Sequence, residues 1–144
     1  MTHEVRAVFD STVAVSAALL PRSVPRQSID SAAARGRLLV SEATIAELDE
    51  VLRRPKFNKY VPEETRLAFL AALLREAELV NVVHVVSECR DPNDNKFLEL
   101  AVSGNASHIV SGDSDLLILN PFRGIAIVTP QEFLTSVIRS EAEQ

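Results

Sequence analysis

Hydrophobic and polar positions change their period several times along this chain, and the changes predict alternating strands and helices. Val5-Arg-Ala-Val-Phe9 is short and rich in β-branched and aromatic residues, which reads as a buried strand; small apolar residues from about Val13 to Leu20 then read as a helix stopped at Pro21. A second helix is expected over Pro25 to Arg35 with Gly36 as its stop signal, followed by a strand at Leu38-Leu-Val40 and a helix from Glu42 to Arg54 ended by Pro55. Pro62 suits a first helical position, and Glu63 and Glu64 suit the positive start of a helix running through Glu78. On this helix Leu67, Phe69, Leu70, Leu73 and Leu74 read as core rather than as a dimer surface. Leu79 to Val86 looks strand-like. From about Asp94 to Gly104, Phe97, Leu98, Ala101 and Val102 share one helical stripe; Ile109-Val110 and Ile125-Ala-Ile-Val128 complete the strands. Thr129-Pro-Gln-Glu132 supplies a cap, a first-position proline and a reciprocal Glu, so a terminal helix is expected.

Strands separated by helices need crossover connections, which yield a mainly parallel sheet covered on both faces. The expected fold is therefore a three-layer α/β/α sandwich, with residues 1–144 as one domain. In such sheets ligands bind beyond the carboxyl ends of the strands, where the strand order reverses.

That rule directs attention to the acids. Asp10 directly follows the first strand, Asp113 follows the strand ending near Ser111, and Asp115 lies two residues further on. Glu47 lies in the helix after the second strand and Asp94 opens a later helix, so both can reach the same edge. Each has a plainer reading: Asp94 as a helix cap, Asp113 as a turn cap, Glu47 as the end of a Thr44-Ile-Ala-Glu47 capping box, and Asp10 as a turn starter. Gathered together, such carboxylates repel one another unless a cation lies among them. All-oxygen donors suit Mg²⁺ or Mn²⁺, which bind phosphates jointly with carboxylates, so the expected chemistry is phosphodiester hydrolysis leaving a 5′-phosphate and a 3′-hydroxyl.

The remaining composition narrows the field without adding chemistry. Cys89 is the single cysteine and has no disulfide partner in the chain; His3, His84 and His108 are scattered and read as structural. Neither a basic-then-apolar start nor a run of about 18 apolar residues is present, so a soluble cytoplasmic protein is expected. The net charge of -5 argues against a surface that grips nucleic acid everywhere. Residues 1–60 nonetheless hold nine Lys and Arg against seven Asp and Glu, whereas residues 61–144 hold six against thirteen. Arg22, Arg26, Arg53, Arg54 and Lys56 are the candidates for guiding phosphate, with plain solvated charge as the simpler alternative.

Four segments resemble the PIN-domain nucleases in order and spacing from about residue 5 to 135. They are Phe9-Asp10-Ser-Thr-Val13, Ser41 to Leu48, Arg90-Asp-Pro-Asn-Asp94-Asn-Lys-Phe-Leu-Glu-Leu-Ala101 and Ile109-Val-Ser-Gly-Asp113-Ser-Asp115-Leu-Leu117. Leu52-Arg-Arg-Pro-Lys-Phe57 further resembles the toxin components of toxin–antitoxin pairs, the VapC-like branch. The resemblance implies a ribonuclease using Mg²⁺ or Mn²⁺, with Asp10, Glu47, Asp94 and Asp113 catalytic and Asp10, Asp94, Asp113 and Asp115 at the metal. It also implies dimerisation and a cognate antitoxin. Two positions depart from the family pattern: Thr12 replaces an amide that helps order the site, and Ser111 replaces a threonine. Two other readings stay open. A haloacid-dehalogenase-type phosphohydrolase would use Asp10 as nucleophile with Ser41, Lys96 and Asp113, although Thr12 then stands where its general acid belongs. A binding module would keep the fold and hold RNA or a protein without turnover.

Overall fold

The computed structural model describes residues 4–142. His3 lies outside them. Five strands, β1 (Val5–Phe9), β2 (Gly36–Val40), β3 (Ala77–Leu79), β4 (His108–Val110) and β5 (Ala126–Val128), form one sheet in the order β3-β2-β1-β4-β5. All four pairings are parallel. Seven helices connect and cover them: α1 (Ser11–Leu19), α2 (Val24–Arg35), α3 (Glu42–Leu52), α4 (Glu63–Glu76), α5 (Asn95–Ser103), α6 (Ser114–Leu117) and α7 (Pro130–Ala142). The expected α/β/α sandwich with a parallel sheet is the observed fold. Its order reverses between β1 and β4, which fixes where the ligand edge lies.

Period-two alternation distributes the strand residues between two cores. Val8, Leu39, Ile109 and Ile127 pack with Phe97, Leu98 and Ala101 of α5, while Ala7, Leu38 and Val110 pack with Val13, Ile29, Ala32, Phe133 and Val137. A third cluster of Ala14, Ala18, Leu48, Leu52 and Leu70 joins α1, α3 and α4. Leu70 and Leu73 are core, as expected, with Phe69 and Leu74 packed against them, whereas Leu67 is half-buried and joins none of the three clusters. Leu98 is fully covered. Leu98→Ala should lower unfolding free energy by about 3 kcal/mol, measured by urea denaturation, because α5 cannot collapse into the space without leaving the sheet.

The ends of the elements show where local pattern was enough. Thr129 and Glu132 form the reciprocal cap of α7 at 2.9 and 3.1 Å. Around α3 the box is made by Ser41 and Thr44 instead of Thr44 and Glu47, which frees the Glu47 carboxylate. Gly36 closes α2 as expected, but the need for glycine comes from proximity: a Cβ there would stand 1.9 Å from the Val5 carbonyl oxygen.

One expected strand is displaced: α4, expected to run through Glu78, ends at Glu76, and in place of a strand over Leu79 to Val86 the strand is Ala77–Leu79. Only Ala77–Leu79 pairs with β2, and after the Val80 N–H bonds Val40 the chain leaves the sheet. The N–H groups of Val83 and His84 then bond Ser103 Oγ at 3.0 and 3.3 Å, and that of Val86 bonds the Glu99 carboxylate at 3.0 Å. Side chains of α5 thus take over as hydrogen-bond partners, leaving Val83 and Val85 exposed.

Candidate active site

The site begins at the strand-order reversal. The N–H of Asp10, one residue beyond β1, bonds the Val110 carbonyl at 3.1 Å, and that of Ser111, one residue beyond β4, bonds the Val128 carbonyl at 2.9 Å. Sheet bonding therefore continues one residue past the strands and aligns both side chains at the same edge. Asp10 caps α1, its Oδ1 accepting from the Val13 N–H at 2.8 Å, while its Oδ2 accepts from Ser111 Oγ. The Ser111 hydroxyl oxygen also accepts from the Asp113 N–H at 2.9 Å. Asp113 in turn caps α6, its Oδ1 accepting from the Asp115 N–H at 2.9 Å. Short turns and one hydroxyl thus chain Asp10, Ser111, Asp113 and Asp115 together.

Asp94 joins from the opposite core. Its plainer reading was a helix cap, yet its side chain caps nothing: Asp91 caps the turn at Pro92–Asp94, accepting from the Asn93 N–H at 3.0 Å. Asp94 Oδ2 is buried without a hydrogen-bond partner among the described residues. Burial, followed by a side-chain hydrogen bond with Asp113 and then by the charges of Asp113, Asp91 and Asp10, pushes the Asp94 carboxyl up to about 7. Burial likewise raises Asp10, opposed by its bonds from Ser111 and Val13 and reinforced by Asp113. Cys89, buried behind the cluster, donates to the Asp115 carbonyl at 3.6 Å; burial raises its thiol, and Asp94, Asp115 and Asp113 add to the rise. Asp10, Asp94 and Asp113 therefore share one electrostatic neighbourhood, with Asp115 at its margin.

Glu47 is placed differently. Its Oε1 lies 2.7 Å from Lys96 Nζ and its Oε2 accepts from Ser11 Oγ at 2.5 Å. Ser11 was absent from the sequence expectations as a site residue, and Lys96 entered only through the phosphohydrolase alternative. No local pattern announces a pair 49 positions apart, although the position of Ser11 beside Asp10 was a usable signal. Thr12, expected to order the site, is exposed and makes no hydrogen bond to the acids among the described residues. The hydroxyl that reaches them from this turn belongs to Ser11.

Of the basic candidates, Arg26 pairs with Asp30 on α2 at 3.4 Å, and Arg53 and Arg54, just past the end of α3, pair back to Asp49 and Glu50 at 3.0 and 2.9 Å. Lys56 Nζ lies 5.1 Å from the Phe57 ring centroid. Arg54 also feels the charge of Glu47, which puts it nearest to the acidic edge, while Arg22 flanks a shallow apolar groove with Leu20 and Pro21. The helical pairs are exposed and weak, so phosphate can displace the carboxylates.

As the side chains lie, no three His, Cys, Asp or Glu among the described residues converge closely enough to chelate one ion. The donor chemistry nevertheless fits a hard divalent cation. The unpartnered Asp94 oxygen and the raised Asp94 carboxyl are what a cluster awaiting positive charge should show.

A family model described as PIN domain matches residues 6–115. An uncharacterized protein of Methanocaldococcus jannaschii, MJ1680, is 29% identical over 141 residues, covering 91% of this chain and 90% of that protein. PAE2754 from Pyrobaculum aerophilum superposes with a TM-score of 0.62 at 16% identity, covering 93% of this chain and 90% of that one. VapBC2 from Rickettsia felis, bound to a DNA fragment from its promoter, gives 0.58 at 13% identity and covers 85% and 96%. DNA-bound VapBC from Salmonella typhimurium gives 0.58 at 15%, covering 88% and 98%.

Proposed function

The chain belongs to the PIN-domain family, and from that premise we propose that it is a metal-dependent endoribonuclease, the toxin of a toxin–antitoxin pair. The observation that carries this reading is the mutual electrostatic influence of Asp10, Asp94 and Asp113 at the strand-order reversal, with one Asp94 oxygen buried and unpartnered among the described residues. PIN nucleases generally use divalent metals, and here Asp10, Asp94 and Asp113 would hold Mg²⁺ or Mn²⁺ with Asp115 beside them. Bound there, the ion supplies positive charge to polarise the scissile phosphate and an attacking water.

The chain's own groups position the reactants. Ser111 fixes both Asp10 and the turn carrying Asp113, so the carboxylates lose little freedom on binding. Arg54, exposed beside Glu47, is the basic residue best placed to draw an RNA backbone toward the edge. In the reaction a bond forms from water oxygen to phosphorus and the bond from phosphorus to the 3′-oxygen breaks. The leaving oxygen takes a proton, and the products carry a 5′-phosphate and a 3′-hydroxyl. The VapBC neighbours support an antitoxin as partner, and dimerisation and a cytoplasmic location belong to the same proposal. No helix of the described residues is long and apolar enough to cross a membrane.

The phosphohydrolase reading would place its general acid at Thr12, which is exposed and bonds none of the acids among the described residues, and it gives Glu47 and Asp94 no role. Thr12 makes no hydrogen bond to the acids among the described residues, so it does not restore the ordering that the family's amide supplies, and turnover is what separates the nuclease from a binding module.

The test is incubation of labelled RNA with protein and Mn²⁺, beside Asp10→Asn and an EDTA control. Cleavage should fall to background in both controls. Cleavage by the variant at the wild-type rate, or without metal, would remove the carboxylate site from the mechanism; tight RNA binding without cleavage by the wild type would favour the module.

A further inference from the structure

Lys96 stands in the first turn of α5 and Glu47 on α3, and their ion pair is only 24% and 25% exposed. This differs from the surface pairs of Arg53 and Arg54, which join residues four apart at the end of α3 and are about half exposed. Packing between α3 and α5 holds the Lys96 pair, so its two long side chains need not be ordered solely for each other. Each Glu47 oxygen is met by a donor of the chain, Lys96 Nζ at 2.7 Å and Ser11 Oγ at 2.5 Å. Its charge is already balanced.

The aspartates present the opposite case. Asp94 keeps a buried oxygen without a partner among the described residues, and its carboxyl is raised by its acidic neighbours. The acidic edge therefore divides into a half that lacks positive charge and a half that contains its own. Two-metal phosphodiesterases place cations about 4 Å apart so that the attacking and leaving oxygens are both neutralised. An ammonium offers a compact positive charge with three donors, able to keep one carboxylate while contacting a phosphate oxygen. Lys96 also lines an open pocket of about 370 Å³ with Ser41, Glu42, Asn81, Val82 and Glu99. None of Asp10, Glu47, Asp94 and Asp113 lines that pocket, so Lys96 stands at its rim and is tied to the acidic edge through Glu47.

We propose that Lys96, seated against Glu47, takes the place of a second divalent ion. The chain then binds one ion at Asp10, Asp94 and Asp113, and the Lys96 ammonium contacts the phosphate from the other side. This rests on the nuclease reading above, and it gives Glu47 the role of holding Lys96 rather than ligating metal.

Isothermal titration of the whole protein with Mn²⁺, without RNA, tests it. The wild type should bind one ion per chain and Lys96→Arg also one. Lys96→Met should gain a second, because Glu47 then faces no cation, and the double variant Lys96→Met/Glu47→Gln should lose it again. Glu47→Gln alone should bind one ion with affinity within about threefold of wild type, which keeps the test decisive if Lys96→Met fails to fold. Two ions of similar affinity in the wild type, an unchanged count in folded Lys96→Met, or loss of the ion in Glu47→Gln would each overturn the role of Lys96 while leaving the metal-dependent nuclease standing. No Mn²⁺ bound by the wild type would remove both.

Discussion

Asp94→Asn is expected to abolish RNA cleavage while making the metal-free protein more stable above neutral pH. The carboxyl at this position titrates near 7, against an ordinary 3.8, because burial and then Asp113 disfavour its charge. An acid with a raised folded-state value holds its proton longer in the folded than in the unfolded chain. Between about pH 4 and 7 the folded state therefore binds more protons, and stability falls as pH rises through that window. The bare shift corresponds to about 4 kcal/mol, which solvent screening at a half-buried residue reduces to roughly 1 kcal/mol. Urea denaturation in EDTA should show wild type losing that amount between pH 4 and 7 and the variant losing much less. Saturating Mn²⁺ should restore the wild type but not the variant. Cleavage by the variant should fall about a thousandfold, the equivalent of roughly 4 kcal/mol of lost transition-state stabilisation. An Asp94→Asn protein no more stable than wild type at pH 8 would show that the carboxylates do not strain the empty cluster.

Arg66→Met should be the most damaging single change to the fold that leaves side-chain volume nearly intact. Arg66, on α4, is fully covered and forms no ion pair with a carboxylate among the described residues. Its guanidinium instead donates to the carbonyls of Leu52 at 2.7 Å, Val61 at 2.5 Å and Arg54 at 3.3 Å, and to Asn58 Oδ1 at 3.0 Å. The carbonyls of Leu52 and Arg54 stand at the negative end of α3, so one cation closes that helix and fastens the following loop. It also lies over the Phe57 ring at 5.8 Å. Removing it leaves buried carbonyls without donors, a loss of about 3–5 kcal/mol by analogy with broken buried ionic networks. Thermal melting should register it, and proteolysis should begin in residues 53–61. A variant melting within a degree or two of wild type would mean that water replaces the guanidinium.

Arg66 also shows what the sequence hides. In a helix beginning Glu63-Glu64-Thr65, an arginine looks like another solvated charge, and its burial depends on a loop that arrives from five to fourteen residues earlier. The strand ends were legible because their signal is local: a short apolar run followed by a small or acidic residue marked Asp10, Ser111 and Asp113. Asp94 was visible as an acid but ambiguous in role, since it stands at the start of α5, where a capping side chain is the plainer reading, and only the structure shows that its side chain caps nothing. The valine-rich run after Leu79 has the composition of a strand, and it leaves the sheet because Ser103 and Glu99 offer its backbone other partners. The bond of Lys96 to Glu47 had no sequence signature, being decided by how α3 and α5 approach each other.

The contact between Asp10 and Ser111 spans 101 positions and crosses the centre of the sheet. During synthesis the amino-terminal part of a chain leaves the ribosome first and starts to fold on its own. A nascent chain ending near residue 100 already carries Asp10, Glu47 and Asp94, but it lacks β4, Ser111 and Asp113. If the finished protein degrades RNA, its cutting edge stays unassembled until most of the polypeptide has been made, and messages and ribosomal RNA near the exit are spared by the order of translation.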